Sequence, residues 1–384
     1  MVNVAFFGHD TGDAAVRRRV QAFGDDGIAV QGFMMRRGES GPTEWPNVDL
    51  GITLDEDYRQ RLGAIGRGVR VAAAHADQLR HADLVYARNL DMLVCAAAVM
   101  NLARVRRPLV YECLDVHRLM VRSDAVGKAM RTAERLLLRR TDLLVVSSPG
   151  FIEHYFDVRH PGRFRPWLLE NRMAPGSFRQ ARPEPTPVPA DRPLRVGWFG
   201  VLRCQRSLHL LTDLAVRLGD RVEIVIRGRP NEIEMPDFHH RIGPLTNVVF
   251  GGPYRSPEDL SRLYADVDIV WAADFMDAGF NSEWLLPNRL YEGGWYATPA
   301  VAPEGTVTGQ WISQRHAGFT VGEPLGDSLV ALVDRLDRDR SPIEAAQVAL
   351  ARLPESTFIQ PAGEMRALVN AVLEPTPGTE KVAH

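Results

Sequence analysis

The stretch NSEWLLPNRLYEGG at residues 281–294 has carboxylates and a helix-start signal at spacings that could bind a sugar nucleotide. Apolar, strand-like runs precede it at 267–271 and follow it at 299–302. Pro287 fixes φ at a value suited to a first helical turn, so we predict a helix that starts near Pro287. Its N-terminus would offer N–H groups to a phosphate, and Glu292 could accept two hydrogen bonds from a ribose diol. We therefore predict a ligand site at the carboxyl edge of a parallel sheet.

This motif, followed by Thr298-Pro299, resembles the nucleotide-sugar signature of GT-B glycosyltransferases of the large retaining family four (group 1). The resemblance implies that Glu292 binds the donor ribose and that Glu283 touches the sugar. Eight residues separate these glutamates, one more than is usual in the family, so the chain departs from the pattern at Glu283. A helix-capping or solvated carboxylate is the alternative at both positions. The motif also implies donor contacts by three further residues, Asn288, Arg289 and Leu290.

A second match lies before the first predicted helix of the C-terminal half. Family members carry a glycine and two basic residues there, and Gly200, Arg203 and Arg206 fit that pattern. The resemblance implies that the two arginines neutralise the donor diphosphate and stabilise charge on it as it leaves. Two guanidinium groups beside a helix N-terminus could do so without a metal ion, so no metal or other cofactor is expected. Further donor contacts are predicted at strand-to-helix turns, at Gly228, Gly305 and Thr306.

The N-terminal strand is followed by the loop GHDTGD at residues 8–13, in which Asp13 can cap the next helix. The loop is neither GxGxxG nor a Walker loop, which argues against NAD or P-loop chemistry. The family resemblance implies that Gly8 and Gly12 approach the donor diphosphate or the acceptor. Any Rossmann-like domain also needs glycine at this turn, so both interpretations stay open.

Asp115 and His117 follow a predicted strand at residues 108–113 and are candidates for the catalytic site together with Asp13. Many family-four enzymes have a histidine at the end of this strand that contacts the transferred sugar, but alignment puts Leu114 there. His117 is therefore either a site residue in a shifted position or a helix cap. A retaining enzyme needs no protein base, whereas an inverting one would need a carboxylate, with Asp13 and Asp115 as the first to test.

Strand-like and helix-like runs alternate along the chain, which predicts parallel sheets covered by helices. Two long helices are predicted in the first half, at residues 58–81 and 119–138. The second is basic and amphipathic, a pattern typical of a helix on an anionic membrane surface or of a solvated outer helix. The fold class is therefore α/β, and the resemblance implies GT-B architecture, two Rossmann-like domains whose parallel sheets face a central cleft.

Composition indicates a globular protein, because 45% of the 384 residues are hydrophobic and 24% are charged. Three cysteines without metal-ligand spacing indicate a reducing, cytoplasmic compartment, and the start of the chain does not read as a signal peptide. Residues 1–181 carry 26 Lys and Arg against 21 Asp and Glu. This basic half would suit a phosphorylated acceptor, or a peripheral position on the inner face of an anionic membrane, although scattered surface charge is an equal alternative.

At this length two domains are expected. We predict an N-terminal acceptor domain at 1–181, a proline-rich linker at 182–193 and a nucleotide-sugar domain at 194–360. A helix at 361–374 is predicted to pack back toward the N-terminal domain, and 375–384 to be a disordered tail.

The predicted function is transfer of a sugar from a nucleotide-diphosphate sugar to a saccharide. The N-terminal segment GHDTGDAA, with RRRV after it, resembles bacterial exopolysaccharide enzymes of the succinoglycan-assembly type. That resemblance implies a polyprenyl-diphosphate-linked oligosaccharide as the acceptor. Two alternatives stay open, a nucleotide-sugar-binding protein without turnover and a GT-B epimerase. Nucleic-acid binding is not expected, because the arginines are dispersed and no aromatic-basic motif occurs.

Overall fold

The computed structural model describes residues 1–38, 42–53, 58–175 and 181–374. The chain divides into two compact units, Met1–Glu170 with Pro361–His384, and Asn171–Gln360. We call them unit 1 and unit 2. Each is built on its own fully parallel sheet covered by helices, which agrees with the α/β class and the two Rossmann-like domains predicted from the alternation.

Unit 1 contains a seven-stranded sheet in the order β3-β2-β1-β4-β5-β6-β7. Its inner strands, β1, β4, β5 and β6, are apolar on both faces and almost wholly buried, as parallel strands covered on two sides must be. The strands are β1 Asn3–Gly8, β2 Ala29–Arg36, β3 Asn47–Ile52, β4 Leu84–Arg88, β5 Leu109–Cys113, β6 Leu143–Val146 and β7 Pro166–Leu168.

The helices of unit 1 return the chain from the carboxyl edge of this sheet to its amino edge. They are α1 Ala14–Asp25, α2 Tyr58–Ala74, α3 Ala76–Arg80, α4 Leu90–Leu102, α5 Arg118–Val121, α6 Ala125–Leu138, α7 Pro149–Phe151 and α8 Asp157–Arg159, with a π-helical segment Ile152–Phe156 between the last two. None of the helices in the described ranges is long and apolar enough to cross a membrane.

Unit 2 contains a six-stranded sheet in the order β10-β9-β8-β11-β12-β13. Its strands are β8 Leu194–Leu202, β9 Val222–Pro230, β10 Val248–Phe250, β11 Ile269–Trp271, β12 Ala300–Pro303 and β13 Gly318–Val321. Its helices are α9 Gln205–Leu218, α10 Phe238–Ile242, α11 Leu260–Ala265, α12 Asn281–Trp284, α13 Asn288–Trp295, α14 Val307–Arg315, α15 Leu325–Arg338 and α16 Ser341–Arg352, with 3₁₀ turns at Gly219–Arg221 and Glu355–Thr357.

The last helix, α17 Glu364–Leu373, belongs to unit 1. Met365, Leu368 and Val369 are fully buried in the core that also holds β1 and α1. Asp26, which ends α1, accepts hydrogen bonds from the backbone N–H groups of Gly363 and Met365 at 2.7 and 2.8 Å. The chain therefore returns to its first unit at its end; the tail predicted at 375–384 lies outside the described residues.

The proline-rich segment 182–193 is part of unit 2, and the chain divides between Glu170 and Asn171 instead. The reason lies in Arg182. Its guanidinium group donates to the backbone carbonyls at the ends of two helices, those of Gly294, Trp295, Leu350, Ala351 and Leu353. The prolines favour an extended backbone, as predicted, but this arginine fastens the segment to the unit.

Two long helices predicted in unit 1 are each broken in two. The predicted helix at 58–81 divides at His75 into α2 and α3. The helix predicted at 119–138 divides into α5 and α6, because the carboxylate of Asp124 accepts from the N–H of Gly127 at 3.0 Å and caps a new helix. In unit 2, β8 extends to Leu202 and α9 already begins at Gln205, so Arg206 lies in the first turn of the helix.

Candidate functional site

A pocket of about 220 Å³ opens at the carboxyl edge of the unit 2 sheet. The strands β11, β12 and β13 end at it, and the first turns of α9 and α14 border it, which is where open parallel sheets bind ligands. Its lining contains four residues predicted from the sequence, Arg206, Glu283, Gly305 and Thr306. The other lining residues are Ala272, Ala273, Asp274, Phe275, Ala278, Ser282, Pro303, Glu304, Thr308, Glu323 and Leu325.

Both predicted phosphate-binding arginines stand at this edge with exposed guanidinium groups. Arg206 lies 4.6 Å from the ring centre of Phe275, and its Nη2 is 3.0 Å from Oε1 of Glu323. Arg203 does not line the pocket, but its Nε is 3.5 Å from Oδ2 of Asp274, which does. The two arginine side chains are 44% and 48% exposed, so these ion pairs are weak enough for a ligand to replace.

The charge of the pocket differs from the prediction. One arginine, Arg206, faces four carboxylates, Asp274, Glu283, Glu304 and Glu323. Such a lining repels a bare diphosphate, but carboxylates are strong acceptors for hydroxyl groups. The acidic part of the pocket is therefore suited to a polyhydroxyl group such as a sugar, with the arginines at its margin suited to phosphate.

Gly305 and Thr306 form the start of α14. Gly305 has φ of 76°, a conformation that favours glycine. The hydroxyl of Thr306 donates to the carbonyl of Pro303 at 2.8 Å and accepts from the N–H of Gly309 at 3.0 Å. Thr306 is thus the N-cap of α14, and the remaining N–H groups of the first turn lie at the pocket, where they can bind an oxyanion.

Glu283 lies on the short helix α12, after the loop that follows β11. Its Oε1 accepts from the backbone N–H of Gly279 at 2.7 Å, and the side chain also lines the pocket. This glutamate therefore binds a local backbone group and also lines the pocket.

Glu292 lies on α13, which starts at Asn288 after the N-cap Pro287, as predicted. The residue is only 6% exposed, and its Oε2 accepts from the hydroxyl of Tyr264 at 3.0 Å. Burial, with the Glu292 charge second, raises the pKa of the Tyr264 hydroxyl well above its usual value and that of Tyr296 to about 12. Both tyrosines therefore keep their protons at neutral pH.

Arg289 connects α13 to the edge of the sheet. Its two Nη atoms donate to the carbonyls of Phe199 in β8, at 2.6 Å, and of Ala273 after β11, at 3.4 Å. Ala273 lines the pocket, but neither Arg289 nor Glu292 does. Both Nη atoms of Arg289 are thus bound to backbone carbonyls, which ties α13 to the ends of β8 and β11.

Four other residues predicted to contact the donor have roles in packing or hydrogen bonding within unit 2. Leu290 is 1% exposed in the core, and Asn288 accepts from the amide of Asn171 at 2.9 Å. Gly200 and Gly228 are paired across β8 and β9 with φ of 122° and 146°. A Cβ on Gly228 would lie 1.8 Å from the Gly200 carbonyl oxygen, so strand packing alone requires glycine there.

In unit 1, side chains of the loop after β1 form hydrogen bonds with the backbone of the loop and of α1. Asp13 caps α1 by accepting from the N–H groups of Ala15 and Val16 at 2.8 and 2.9 Å, as predicted. Burial would raise its pKa, but hydrogen bonds from His9 and Val16 outweigh burial and hold the pKa well below its usual range. Such a carboxylate is a weak base. Gly12 is exposed, and Gly8 is buried against Met34.

His117 is the N-cap of α5, since its Nδ1 accepts from the N–H of Leu119 at 3.2 Å. The helix-cap alternative therefore describes the structure, and this hydrogen bond leaves the proton of a neutral ring on Nε2. Asp115 is exposed two residues earlier.

The polar residues at the ends of β4 and β5 bind each other. Glu112 accepts from Nε and Nη2 of Arg88 at 2.7 and 3.1 Å and from Nε of Arg19 at 3.1 Å. All three side chains are at most 5% exposed. Burial would raise the pKa of Glu112, but the two arginines outweigh this effect and hold its pKa below the usual value.

Three acids of the unit 2 pocket were missed by sequence reasoning: Asp274, Glu304 and Glu323. Glu304 directly follows β12, so its position at a strand end was the signal that could have identified it. Asp274 and Glu323 belong to loops whose meeting depends on the strand order. Among the described residues, no group of three or more His, Cys, Asp or Glu side chains has the geometry to hold a metal ion.

No model of a protein family matches the sequence. The chain is 39% identical over 343 residues to the succinoglycan biosynthesis protein ExoL of Rhizobium meliloti (strain 1021), which covers 88% of this chain and 85% of that protein. Anabaena HepE in complex with UDP and glucose matches with a TM-score of 0.68 and 16% identity, over 97% of this chain and 100% of that one. A glycosyltransferase from Rickettsia africae matches with a TM-score of 0.69 and 12% identity, over 98% and 99%. The chain thus belongs to the family of the succinoglycan biosynthesis protein ExoL and is a GT-B glycosyltransferase.

Proposed function

We propose that this glycosyltransferase binds a nucleoside-diphosphate sugar in unit 2 and transfers the sugar, with retention of configuration and without a metal ion, to a saccharide acceptor in exopolysaccharide synthesis. The observation that carries the proposal is the pocket at the carboxyl edge of the unit 2 sheet. There, exposed arginines and two helix N-termini border a group of carboxylates. This combination suits the two unlike parts of the donor, a charged diphosphate and a neutral sugar.

The sugar of the donor occupies the acidic part of the pocket. Glu283 and Glu304 accept hydrogen bonds from its hydroxyl groups, and Gly305 and Thr306 contact it or the adjacent phosphate through the first turn of α14. Glu304 makes no hydrogen bond or ion pair with another described side chain, so it is available to a hydroxyl group. A buried hydrogen bond between a hydroxyl and a carboxylate contributes about 1.5–3 kcal/mol.

Arg203 and Arg206 bind the diphosphate and stabilise the negative charge that grows on it as the glycosidic bond breaks. Both stand beside the first turn of α9, whose N–H groups add a positive partial charge. Bound diphosphate replaces Glu323 and Asp274 as the partner of these guanidinium groups. Preorganised cations of this kind are usually the largest electrostatic contribution to catalysis, which is why no metal ion is invoked.

Glu292 binds the ribose diol and thereby positions the anomeric carbon. Tyr264 occupies one oxygen of this carboxylate from the protein side, which fixes its orientation. UDP-glucose is the first donor to test, because HepE has been crystallised with UDP and with UDP-glucose.

A retaining reaction agrees with the weakness of Asp13, one of the two candidate bases in unit 1. The carboxylate of Asp13 caps α1 and has a lowered pKa, so it is poorly suited to remove a proton from the acceptor hydroxyl. In the retaining route an oxygen of the departing diphosphate takes that proton. Asp115 is the remaining candidate if configuration is inverted.

The acceptor is a polyprenyl-diphosphate-linked oligosaccharide, which unit 1 meets at a membrane surface through α6. This helix buries Gly127, Glu134 and Leu138 and leaves Val126 and Leu136 49% and 54% exposed. Lys128, Arg135 and Arg139 are also exposed. Such a helix can lie on an anionic bilayer. Sedimentation with phosphatidylglycerol vesicles tests this, and equal binding by wild type and Val126→Ser/Leu136→Ser would contradict it.

The donor assignment is tested by thermal shift with a panel of nucleotide sugars, together with release of nucleoside diphosphate. We expect UDP-glucose or a related donor to raise the unfolding temperature of the wild type, because a ligand that binds only the folded state stabilises it. Glu292→Ala should lose the shift. Slow release of nucleoside diphosphate without acceptor separates an enzyme from a protein that only binds, and interconversion of the sugar would indicate an epimerase.

The matched control for Glu292→Ala is Tyr264→Phe, which removes the same internal hydrogen bond but keeps the carboxylate. Both variants should lower the basal unfolding temperature, and Tyr264→Phe should retain most of the donor response. A full response in Glu292→Ala would refute the ribose assignment.

A further inference from the structure

A second pocket, of about 590 Å³, lies at the amino edge of the unit 1 sheet, the edge away from Asp13, Asp115 and His117. It is formed by the turn from α4 to β5 and by the end of α6. Arginine is the most frequent residue in its lining, which consists of Ala97, Met100, Asn101, Arg104, Val105, Arg106, Arg107, Pro108, Leu109, Arg140 and Asp142.

The lining is strongly positive. Four guanidinium groups face a single carboxylate, that of Asp142, which leaves a formal charge of +3. The Oδ2 of Asp142 already accepts from the N–H of Leu109 at 2.9 Å, and Arg107 is held by its hydrogen bond to the carbonyl of Arg80 at 2.7 Å. Within the described ranges, the side chains of Arg104, Arg106 and Arg140 make no hydrogen bond or ion pair.

The ends of α4 and α6 do not neutralise this charge. Each helix C-terminus contributes about half a negative charge, so the two together still leave the pocket at about +2. Arginines near a helix C-terminus can interact with the helix dipole alone. Four arginines around one cavity, however, carry more positive charge than two helix C-termini neutralise. The surplus is matched by a compact anion carrying two or three negative charges.

Arg104 reaches this pocket from an unfavourable backbone conformation. It follows α4 with φ of 52°, in the left-handed region where glycine is the usual residue after a helix. The N–H of the next residue, Val105, donates to Met100 at 2.9 Å and closes the helix end. The fold thus has a position here that would accept glycine at lower conformational cost, and the sequence places a cation there.

We propose that this arginine pocket binds a phosphate-bearing group, at a site separate from the donor site. Guanidinium groups bind phosphate oxygens in pairs of parallel hydrogen bonds, and several of them around a concave site select a dianion over a single carboxylate. The group belongs either to an anionic phospholipid or to a soluble phosphate compound. Leu102 and Leu136 lie close in sequence to residues of the pocket and are 66% and 54% exposed. These leucines could contact the acyl chains of a lipid while the arginines bind its phosphate.

The test compares two double variants that remove the same charge from unit 1. Arg104→Gly/Arg140→Gln changes the pocket, and Arg159→Gln/Arg163→Gln changes two exposed arginines elsewhere. Arg104→Gly relieves the left-handed conformation, so the pocket variant should fold at least as well at that position. Binding is measured by calorimetry with inorganic pyrophosphate, and by sedimentation with phosphatidylglycerol vesicles against phosphatidylcholine vesicles.

We expect the pocket variant to bind one of the two probes about 25-fold more weakly, since each of the two lost cations contributes about five-fold near an anionic charge. The control variant should bind nearly as well as the wild type. Loss confined to vesicles identifies a lipid headgroup, and loss with pyrophosphate identifies a soluble phosphate. The proposal is overturned if neither probe distinguishes the two variants, or if the pocket variant also loses its thermal shift with UDP-glucose.

Discussion

The carboxyl edges of the two sheets use the same residue types in opposite ways. In unit 1, Arg88, Glu112 and Arg19 bind one another and are at most 5% exposed. In unit 2, Arg206 and Glu323 also form a pair, but their side chains are 48% and 71% exposed. A closed network stabilises its own fold, whereas open pairs can exchange partners with a ligand. Exposure thus separates charges at a strand end that are closed to a ligand from charges that a ligand can reach.

The largest expected effect is on the buried network of Arg19, Arg88 and Glu112 in unit 1. Glu112→Gln leaves two buried guanidinium groups with a neutral partner, and we expect it to lower the free energy of unfolding by about 3–5 kcal/mol. Urea unfolding monitored by circular dichroism measures the loss. Glu304→Gln, an exposed acid of the other edge, is the control and should change stability by less than about 0.5 kcal/mol.

The pH dependence sharpens the same comparison. Because the folded pKa of Glu112 is lowered, its contribution is complete above the unfolded pKa of about 4.3 and is lost as the pH falls through the folded value. The wild type should therefore lose stability on the acid side of pH 4.3, and Glu112→Gln should lose less. Parallel stability curves for the two proteins below pH 4.3 would contradict this.

On the open side, Arg206→Ala should affect catalysis more than folding. Loss of one preorganised charge should reduce the rate of sugar transfer by about 10²–10³-fold, while the exposed pair with Glu323 contributes at most about 1 kcal/mol to stability. Steady-state kinetics and thermal unfolding measure the two effects. Arg217→Ala, on the same helix and paired with exposed Asp327, is the control. Equal loss of activity in both variants would show that Arg206 has no special role.

The smallest effect expected is that of Glu304→Gln on donor affinity. Replacing a charged acceptor by a neutral one of the same size weakens a hydrogen bond to a hydroxyl by about 1 kcal/mol, or about five-fold in affinity. The loss should appear for UDP-glucose and not for UDP in calorimetric titrations, since Glu304 is assigned to the sugar. Glu232→Gln, an exposed acid of the same unit, is the control. A loss for UDP of the same size would move Glu304 to the phosphate.

Much of the carboxyl edge of the unit 2 sheet could be predicted because its signals are local. Pro287 marked the start of α13 correctly, and Arg206 and Thr306 were placed beside helix N-termini. The acidic character of the pocket could not be predicted, since Asp274, Glu304 and Glu323 meet only through the order β8-β11-β12-β13. Sequence spacing contains no information on that order.

Two differences from the predictions have causes that single-residue patterns hide. The strand β3 was not predicted, because Asn47, Asp49 and Gly51 are residue types depleted in strands, although the sequence NVDLGI alternates between polar and apolar residues. The segment predicted as a linker lies in unit 2, and its proline content indicates backbone stiffness but gives no sign of the anchor at Arg182. The cap at Asp124, in contrast, was visible three residues before Gly127 and could have divided the predicted long helix.

The anchor at Arg182 has a consequence for the thermodynamics of donor binding. Arg182 fixes the C-terminal end of α13 and Arg289 fixes its N-terminal end, so Glu292 is held between two tethers before any ligand arrives. Little conformational entropy then remains to be lost at this helix when the ribose binds. A flexible glycine-serine spacer in place of the proline-rich segment should therefore make association with the nucleotide less favourable through its entropy, although no residue that touches the nucleotide has changed.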